Sequence, residues 1–189
     1  MRPMGSDKSE FSRTGDELLV VRCQLGEPEA FDELIGRWHG PVWHYIRRIS
    51  GRDEDAQDIL QDVWLRVIRG MARLRDGSRF RGWLFGIARR VLMDRFRRQY
   101  AEPLAADIDT ESIADEPDSA DHESDLAALD AALERLPLIE REILTLFYLR
   151  DLSLLEIADA LSIPIGTVKS RLFRARRMAR EILTKEVDS

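Results

Sequence analysis

The sequence predicts an all-α chain: two small helical domains joined by a flexible acidic linker. Three observations predict it. Apolar residues recur at three- and four-residue spacing along most of the 189 positions. Period-two clusters of Val, Thr and Tyr, the mark of half-buried strands, are scarce. And the stretch from Ala101 to Asp125 holds ten acids and no Lys or Arg. The boundaries expected are a disordered N-terminus at 1–15, a first domain at 16–100, the linker at 101–124 and a second domain at 125–185.

The first helix runs from about Asp16 to Leu25 and stops at Gly26. The second opens at Pro28, whose fixed φ suits a first turn. Phe31, Leu34, Trp38, Val42, Tyr45, Ile46 and Ile49 then follow at helical spacing. Gly40-Pro41 should kink or interrupt it, because proline lacks the N–H that a helix interior needs. The third helix starts at Asp53, a favourable N-cap, and reaches Gly70. Met71 to Arg79 is a basic loop holding Asp76-Gly77-Ser78, and a fourth helix covers about Phe80 to Gln99.

The linker also carries Pro103, Pro117, Ser112 and Ser119 and few large apolar residues. It cannot bury enough surface to offset the entropy of ordering, and its charges repel one another. Beyond it, Leu126, Leu129, Leu133 and Leu136 form a short amphipathic stripe. Pro137 opens a helix bearing Ile139, Ile143, Leu144 and Phe147, and Asp151-Leu152 is a turn. Ser153 and Glu156 read as a capping box, Ser-x-x-Glu, ahead of Ile157, Ala158 and Leu161. Ser162-Ile163-Pro164 breaks that helix, and a last one starts between Ile165 and Thr167 and ends near Leu183.

A net charge of −6 argues at first against nucleic acid. Its distribution argues the other way: without the ten acids of Ala101 to Asp125 the remainder stands at +4, in two basic bunches flanking that stretch. Two short helices with a tight turn, the second strongly basic, describe a helix-turn-helix. At 100° per residue, Val168, Leu172, Ala175 and Ala179 fall on one stripe of the last helix. Ser170, Arg174 and Arg177 fall opposite, flanked by Lys169, Phe173 and Arg180, with no acid between Ile165 and Arg180. Cations neutralise phosphate, and arginine forks onto guanine in the major groove. Thr167, Lys169, Ser170, Arg171 and Arg174 are therefore the expected DNA contacts, with Arg177 holding backbone. A solvated basic helix without a ligand is the plainer alternative. Ala158, small where the two helices would cross, weighs against it.

In the third helix Ala56, Ile59, Leu60, Val63 and Val67 share one face, and Asp58, Gln61, Asp62, Leu65 and Arg69 share the other. A leucine among polar residues is either an idle surface residue or the apolar centre of an interface. In the fourth helix arginines and aromatics interleave from Phe80 to Arg98. That suits a surface that grips phosphate and stacks unpaired bases, although Phe80, Trp83, Ile87 and Val91 also suit a core.

These segments resemble a known family. Asp53-Glu54-Asp55-Ala56-Gln57-Asp58-Ile59-Leu60-Gln61-Asp62-Val63-Trp64 is similar to the core-polymerase-binding segment of sigma-70 factors. Phe80-x-x-Trp83-Leu84 through Asp94-Arg95 resembles the segment that opens and reads the −10 element. Leu152-Ser153-Leu154-Leu155-Glu156-Ile157-Ala158 through Gly166-Thr167-Val168-Lys169-Ser170-Arg171 resembles the −35-reading helix-turn-helix. Order and spacing agree with the extracytoplasmic-function (ECF) group over nearly all of Asp16 to Thr184.

The resemblance implies sigma domain 2 before the linker and sigma domain 4 after it. It implies docking of Asp58, Gln61, Asp62 and Leu65 on the clamp helices of the polymerase β′ subunit, with the β flap as a further contact. It implies −10 binding by Arg79, Phe80, Arg81, Trp83, Arg89, Arg90 and Arg97, with a base flipped from the stack. It implies −35 binding by Thr167, Lys169, Ser170, Arg171, Arg174 and Arg177. The partners implied are core RNA polymerase, promoter DNA and, as is frequent in the family, an anti-sigma factor. Two departures stand out. Arg90 replaces a frequent Asn, so the −10 preference does not carry over. Ser162 replaces a frequent turn Gly, which adds strain of roughly 1 kcal/mol if φ is positive there.

The rival readings are a two-domain regulator that uses only the terminal helix-turn-helix, and an enzyme. The first leaves the third and fourth helices unexplained. Against the second, His39, His44 and His122 are the only histidines, and no spacing suggests a metal or a nucleophile–base pair. No catalytic residue, metal or cofactor is expected. Cys23, the single cysteine, reads as a small buried hydrophobe. No apolar run approaches the roughly 18 residues of a membrane span, and the polar start lacks signal-peptide character, so a cytoplasmic location with no membrane partner is expected.

Overall fold

The computed structural model describes residues 6–51, 53–99 and 133–187. Every regular element among them is helical, and the order follows the periodicity. The N-terminal module holds α1 (Ser6–Gln24), α2 (Pro28–Ser50), α3 (Asp53–Gly70) and α4 (Phe80–Gln99). The C-terminal module holds α5 (Leu138–Leu144), continued by a π turn over Thr145–Leu149, then α6 (Leu154–Leu161) and α7 (Ile165–Val187). The expected linker, 101–124, lies outside the described residues, as do Leu126 and Leu129 of the stripe that follows it. Leu133 and Leu136 of that stripe are buried.

Two expectations are corrected and a third, at Pro41, is narrowed. Helix α1 begins at Ser6, ten positions before the expected Asp16 and inside the stretch read as disordered. No proline lies between Ser6 and Gly15 to stop a helix, and a polar composition alone does not forbid one. Helix α2 runs through Pro41, so of the two outcomes expected there the interruption does not occur. The missing N–H removes one helical bond, but Trp38, Val42, Tyr45, Ile46 and Ile49 stay buried on one stripe, and their packing carries the helix across the gap. The basic loop is not irregular throughout: it holds two single 3₁₀ turns, Met71–Arg73 and Gly77–Arg79.

In the N-terminal module the core is aromatic. Trp38 meets Phe80 and Phe85 edge-on at centroid distances of 6.1 and 6.2 Å, and Tyr45 meets Phe85 at 5.3 Å. Such T-shaped pairs set the positive ring edge against the negative face. Val63 and Val67 of α3 close this core from one side. The same core continues into the C-terminal module through Ile143, Leu146, Leu152, Ile157, Leu161, Val168, Leu172 and Ala175.

Local signals behave as their chemistry dictates. Gly51 ends α2 in the left-handed region, at φ 67°. The capping box forms in full: Ser153 Oγ accepts the Glu156 N–H at 3.3 Å, and Glu156 Oε2 accepts the Ser153 N–H at 2.6 Å. Ser162 ends α6 at φ 53°, ψ 45°, the strained geometry anticipated for a serine at that turn.

The modules do not stand apart. Helix α4 packs along α6, and α2 reaches α5. Part of the arginine-rich face of α4 therefore looks inward, toward the second module.

Candidate nucleic-acid and protein interfaces

The loop between α3 and α4 is held from behind. Gln24 Nε2, near the end of α1, donates to the carbonyls of Met71 at 3.0 Å and Leu74 at 2.7 Å. Within the loop Asp76 Oδ1 accepts the Ser78 N–H at 3.0 Å and the Ser78 hydroxyl at 2.6 Å. These bonds favour the ionised carboxylate and lower its pKa below the ordinary value. The loop thus presents Arg73, Arg75 and Arg79 from a fixed turn.

With α4 and α6 this loop encloses an open cavity of about 420 Å³, lined by Arg73, Arg75, Arg79, Arg89 and Arg90, with Trp83 in its wall. Asp159, Ala160 and Ser162 form the side contributed by the second module. Its five guanidiniums outnumber the two carboxylates of the lining, Asp76 and Asp159, and leave the concavity cationic.

The residues expected at −10 DNA divide three ways. Phe80 is fully buried, its ring against Trp38, and offers no face to a base. Arg79, Arg81 and Arg89 are engaged by the second module. Arg79 forks onto Asp159, with Nε at 2.9 Å from Oδ2. Arg81, only 6 % exposed, donates to the carbonyls of Arg150 at 2.7 Å and Asp151 at 3.2 Å. Its Nε lies 3.8 Å from Glu156 Oε1. Arg89 Nε meets both oxygens of Glu142 at 3.1 and 3.2 Å. Arg90 and Arg97 are exposed, steadied by bonds to the Gly86 and Met93 carbonyls, and Trp83 is half-buried.

On α7 the stripe falls as the 100° rule places it: Val168, Leu172 and Ala175 are buried. Lys169, Ser170, Arg174 and Arg177 are exposed, and Thr167 and Arg171 are half-buried. Ser170 Oγ donates to the Thr167 carbonyl at 3.0 Å. Phe173 is 70 % exposed, on the outer face where the spacing sets it. Arg174 has a second role: its guanidinium pairs with Glu140, a carboxylate only 2 % exposed on α5. Arg177 pairs along its own helix with Glu181 at 3.6 Å.

On α3 the expected face is outside the core. Asp58, Gln61 and Asp62 are exposed, and Leu65 is 42 % exposed with Ile68 beside it at 46 %. Arg95 of α4 approaches Asp58 at 4.0 Å.

Sequence reasoning missed the acceptors: Glu140, Glu142 and Asp159 are the groups that receive Arg174, Arg89 and Arg79. One signal was available. Gly82 and Gly86 stand four apart inside α4, where glycine costs about 1 kcal/mol against alanine and implies close packing.

Among the described residues no helix is long and apolar enough to cross a membrane, and no three His, Cys, Asp or Glu side chains gather as a metal site.

Comparison with known proteins places both modules. Residues 34–102 match the Sigma-70 region 2 model and residues 126–178 the Sigma-70 region 4 model. The chain is 36 % identical over 169 residues to the ECF RNA polymerase sigma factor SigM of Mycobacterium tuberculosis, covering 89 % of this chain and 84 % of that one. It is 33 % identical over 180 residues to the ECF RNA polymerase sigma factor SigE of Mycolicibacterium smegmatis, covering 93 % of this chain and 66 % of the relative. Among solved structures, CnrH in complex with the cytosolic domain of CnrY aligns with a TM-score of 0.67 at 25 % identity, over 92 % of this chain and 99 % of that one. The sigma factor RpoE in complex with the anti-sigma factor NepR, from Bartonella quintana, also gives 0.67 at 25 % identity, over 82 % and 96 %.

Proposed function

This chain belongs to the sigma-70 family, in its ECF group, and on that premise we propose how its surfaces divide the work of an RNA polymerase sigma factor. It binds core polymerase and directs promoter recognition, DNA melting and the start of transcription. The exposed face of α3, with Asp58, Gln61, Asp62 and Leu65, docks on the clamp helices of β′, and the C-terminal module meets the β flap. The outer face of α7 holds the −35 duplex through Lys169, Ser170, Arg171 and Arg174, with Thr167 and Arg177 at its margins. The cavity beside Trp83 and Arg90 receives a flipped −10 base while the surrounding arginines hold the strand. Flipping costs a few kcal/mol, which pocket contacts offset.

The expected domain limits, 16–100 and 125–185 about a linker at 101–124, form part of this reading, as does a cytoplasmic site of action. An anti-sigma factor belongs to it as a regulatory partner, because RpoE was solved with one. Two tethered readers raise each other's effective concentration, so neither module binds promoters tightly alone. The reading carries no catalytic role.

One observation carries the reading: two cationic surfaces and a separate polar-and-leucine face lie outside the cores of a single chain. The test is reconstitution. Purified protein added to core polymerase should bind it and yield promoter-specific transcripts. A regulator that uses only its helix-turn-helix would do neither.

A further inference from the structure

Arg174 and Arg177 of α7 are both paired, and the pairs differ in kind. Arg177 meets Glu181 along the same helix, with both side chains mostly exposed. Such a surface pair is worth little and opens readily. Arg174 meets Glu140 of α5, 34 positions earlier in the chain. The Arg174 side chain is 57 % exposed, while the carboxylate it pairs with is only 2 % exposed. A buried carboxylate stripped of its cation is costly, so this pair stays closed. Glu140 is itself held in place. Its N–H donates to the Pro137 carbonyl at 3.0 Å, in the first turn of α5, and Ile143 and Leu144 bury that helix in the core. The neighbouring Arg141 is engaged elsewhere, donating through Nη2 to the Leu136 carbonyl at 3.2 Å. Among the described residues Arg174 is the cation that reaches Glu140.

A guanidinium is a planar fork with five N–H donors. Here Glu140 Oε1 takes Nη2, and the rest of the side chain stays exposed. An arginine that reads guanine must present two donors in one plane. A long side chain free to turn loses rotamer freedom on doing so, and one already fixed does not. We propose that Glu140 is a positioning residue for the −35 contact: from inside the C-terminal module it fixes the orientation in which Arg174 meets the duplex, and so sets sequence discrimination there. This rests on the reading of α7 as the −35 surface. Glu140 acts through Arg174 alone. Its negative charge opposes phosphate, so a neutral side chain in its place leaves the general attraction of α7 for DNA intact.

The test uses holoenzyme reconstituted from the full chain and core polymerase. Two probes are compared: a promoter duplex selected by the wild-type holoenzyme from a pool randomised over the −35 window, and the same duplex with that window scrambled. The readout is the ratio of the two affinities at one salt concentration. Glu140→Gln keeps the shape of the side chain and removes its charge. It should lower the ratio about tenfold, within the discrimination of one good arginine fork, with binding to the scrambled duplex undiminished. Arg174→Ala should lower the ratio comparably, and Glu140→Gln added to Arg174→Ala should lower it no further. Thermal melts first establish that each variant is folded. Should Glu140→Gln fail that check, Glu140→Asp stands in: it keeps the buried charge on an arm one methylene shorter and should lower the ratio in the same way. An unchanged ratio overturns the proposal, as does a loss shared equally by both duplexes, which marks a purely structural role. Additive losses in the double variant overturn it too, because Glu140 would then act apart from Arg174. A wild-type holoenzyme that selects no −35 sequence sinks the reading of α7 and the proposal with it. Discrimination kept alike by wild type and Glu140→Gln sinks the proposal alone.

Discussion

The Tyr45 hydroxyl donates to the Glu142 carboxylate at 2.7 Å, tying α2 of the first module to α5 of the second across 97 positions of sequence. Arg89 of α4 meets the same carboxylate, so one buried acid joins three helices. Burial, then the charge of Glu142 beside it, pushes the Tyr45 phenol well above its ordinary value. A phenol raised in the folded state contributes stability that is complete below the unfolded value, about 10, and is lost as pH climbs toward the folded one.

Tyr45→Phe should therefore lower stability at neutral pH by about 1 kcal/mol, the net worth of one hydrogen bond. Above a pH of about 10 the gap between variant and wild type should narrow. Urea titrations at a series of pH values measure both, and a gap constant into alkali would clear Tyr45 of the effect.

Ser162→Gly should raise stability by about 0.5 kcal/mol, because glycine adopts the left-handed φ of 53° without the Cβ penalty. The gain stays small because glycine also enlarges the entropy of the unfolded chain. Thermal melts decide: a midpoint unmoved or lowered would mean that the serine carries no strain.

Lys169→Ala and Arg174→Ala separate binding from folding. Lys169 is exposed and has no ion pair among the described residues, so its loss should reduce the salt slope of −35 duplex binding by about 1 and leave the melting point alone. Removing Arg174 strands the buried Glu140 and should cost roughly 1–3 kcal/mol of stability as well as duplex affinity. An unchanged salt slope in Arg174→Ala would leave that residue a structural role only.

Asp62→Ala with Leu65→Ala should weaken core-polymerase binding tenfold or more while circular dichroism stays unaltered. Both side chains are exposed, and alanine favours the helix. Undiminished binding would move the interface off this face of α3.

The legible part of the chain was the local part. Helix order, the buried stripes of α2, α3 and α7, the capping box at Ser153 and the left-handed turn at Ser162 each follow from spacing or from one residue's backbone preference. The exposure of Asp58, Asp62, Lys169 and Ser170 was legible too, because periodicity leaves their faces outside the core. The continuity of α2 through Pro41 was not legible, because a single lost bond is outweighed by packing against helices far away in sequence.

The amino-acid order alone determined two basic helical modules, the acidic stretch between them and which side of each helix is apolar, since these depend on steps of three and four residues. Only the tertiary structure decided that Arg79, Arg81 and Arg89 meet Asp159, two backbone carbonyls and Glu142, and that Gly82 lets α6 lie against α4. Those pairings join residues 53 to 80 positions apart, and no local rule selects among the many acids and arginines available at such separations. What selects them is the fit of one helix surface against another, which exists only once both modules have folded.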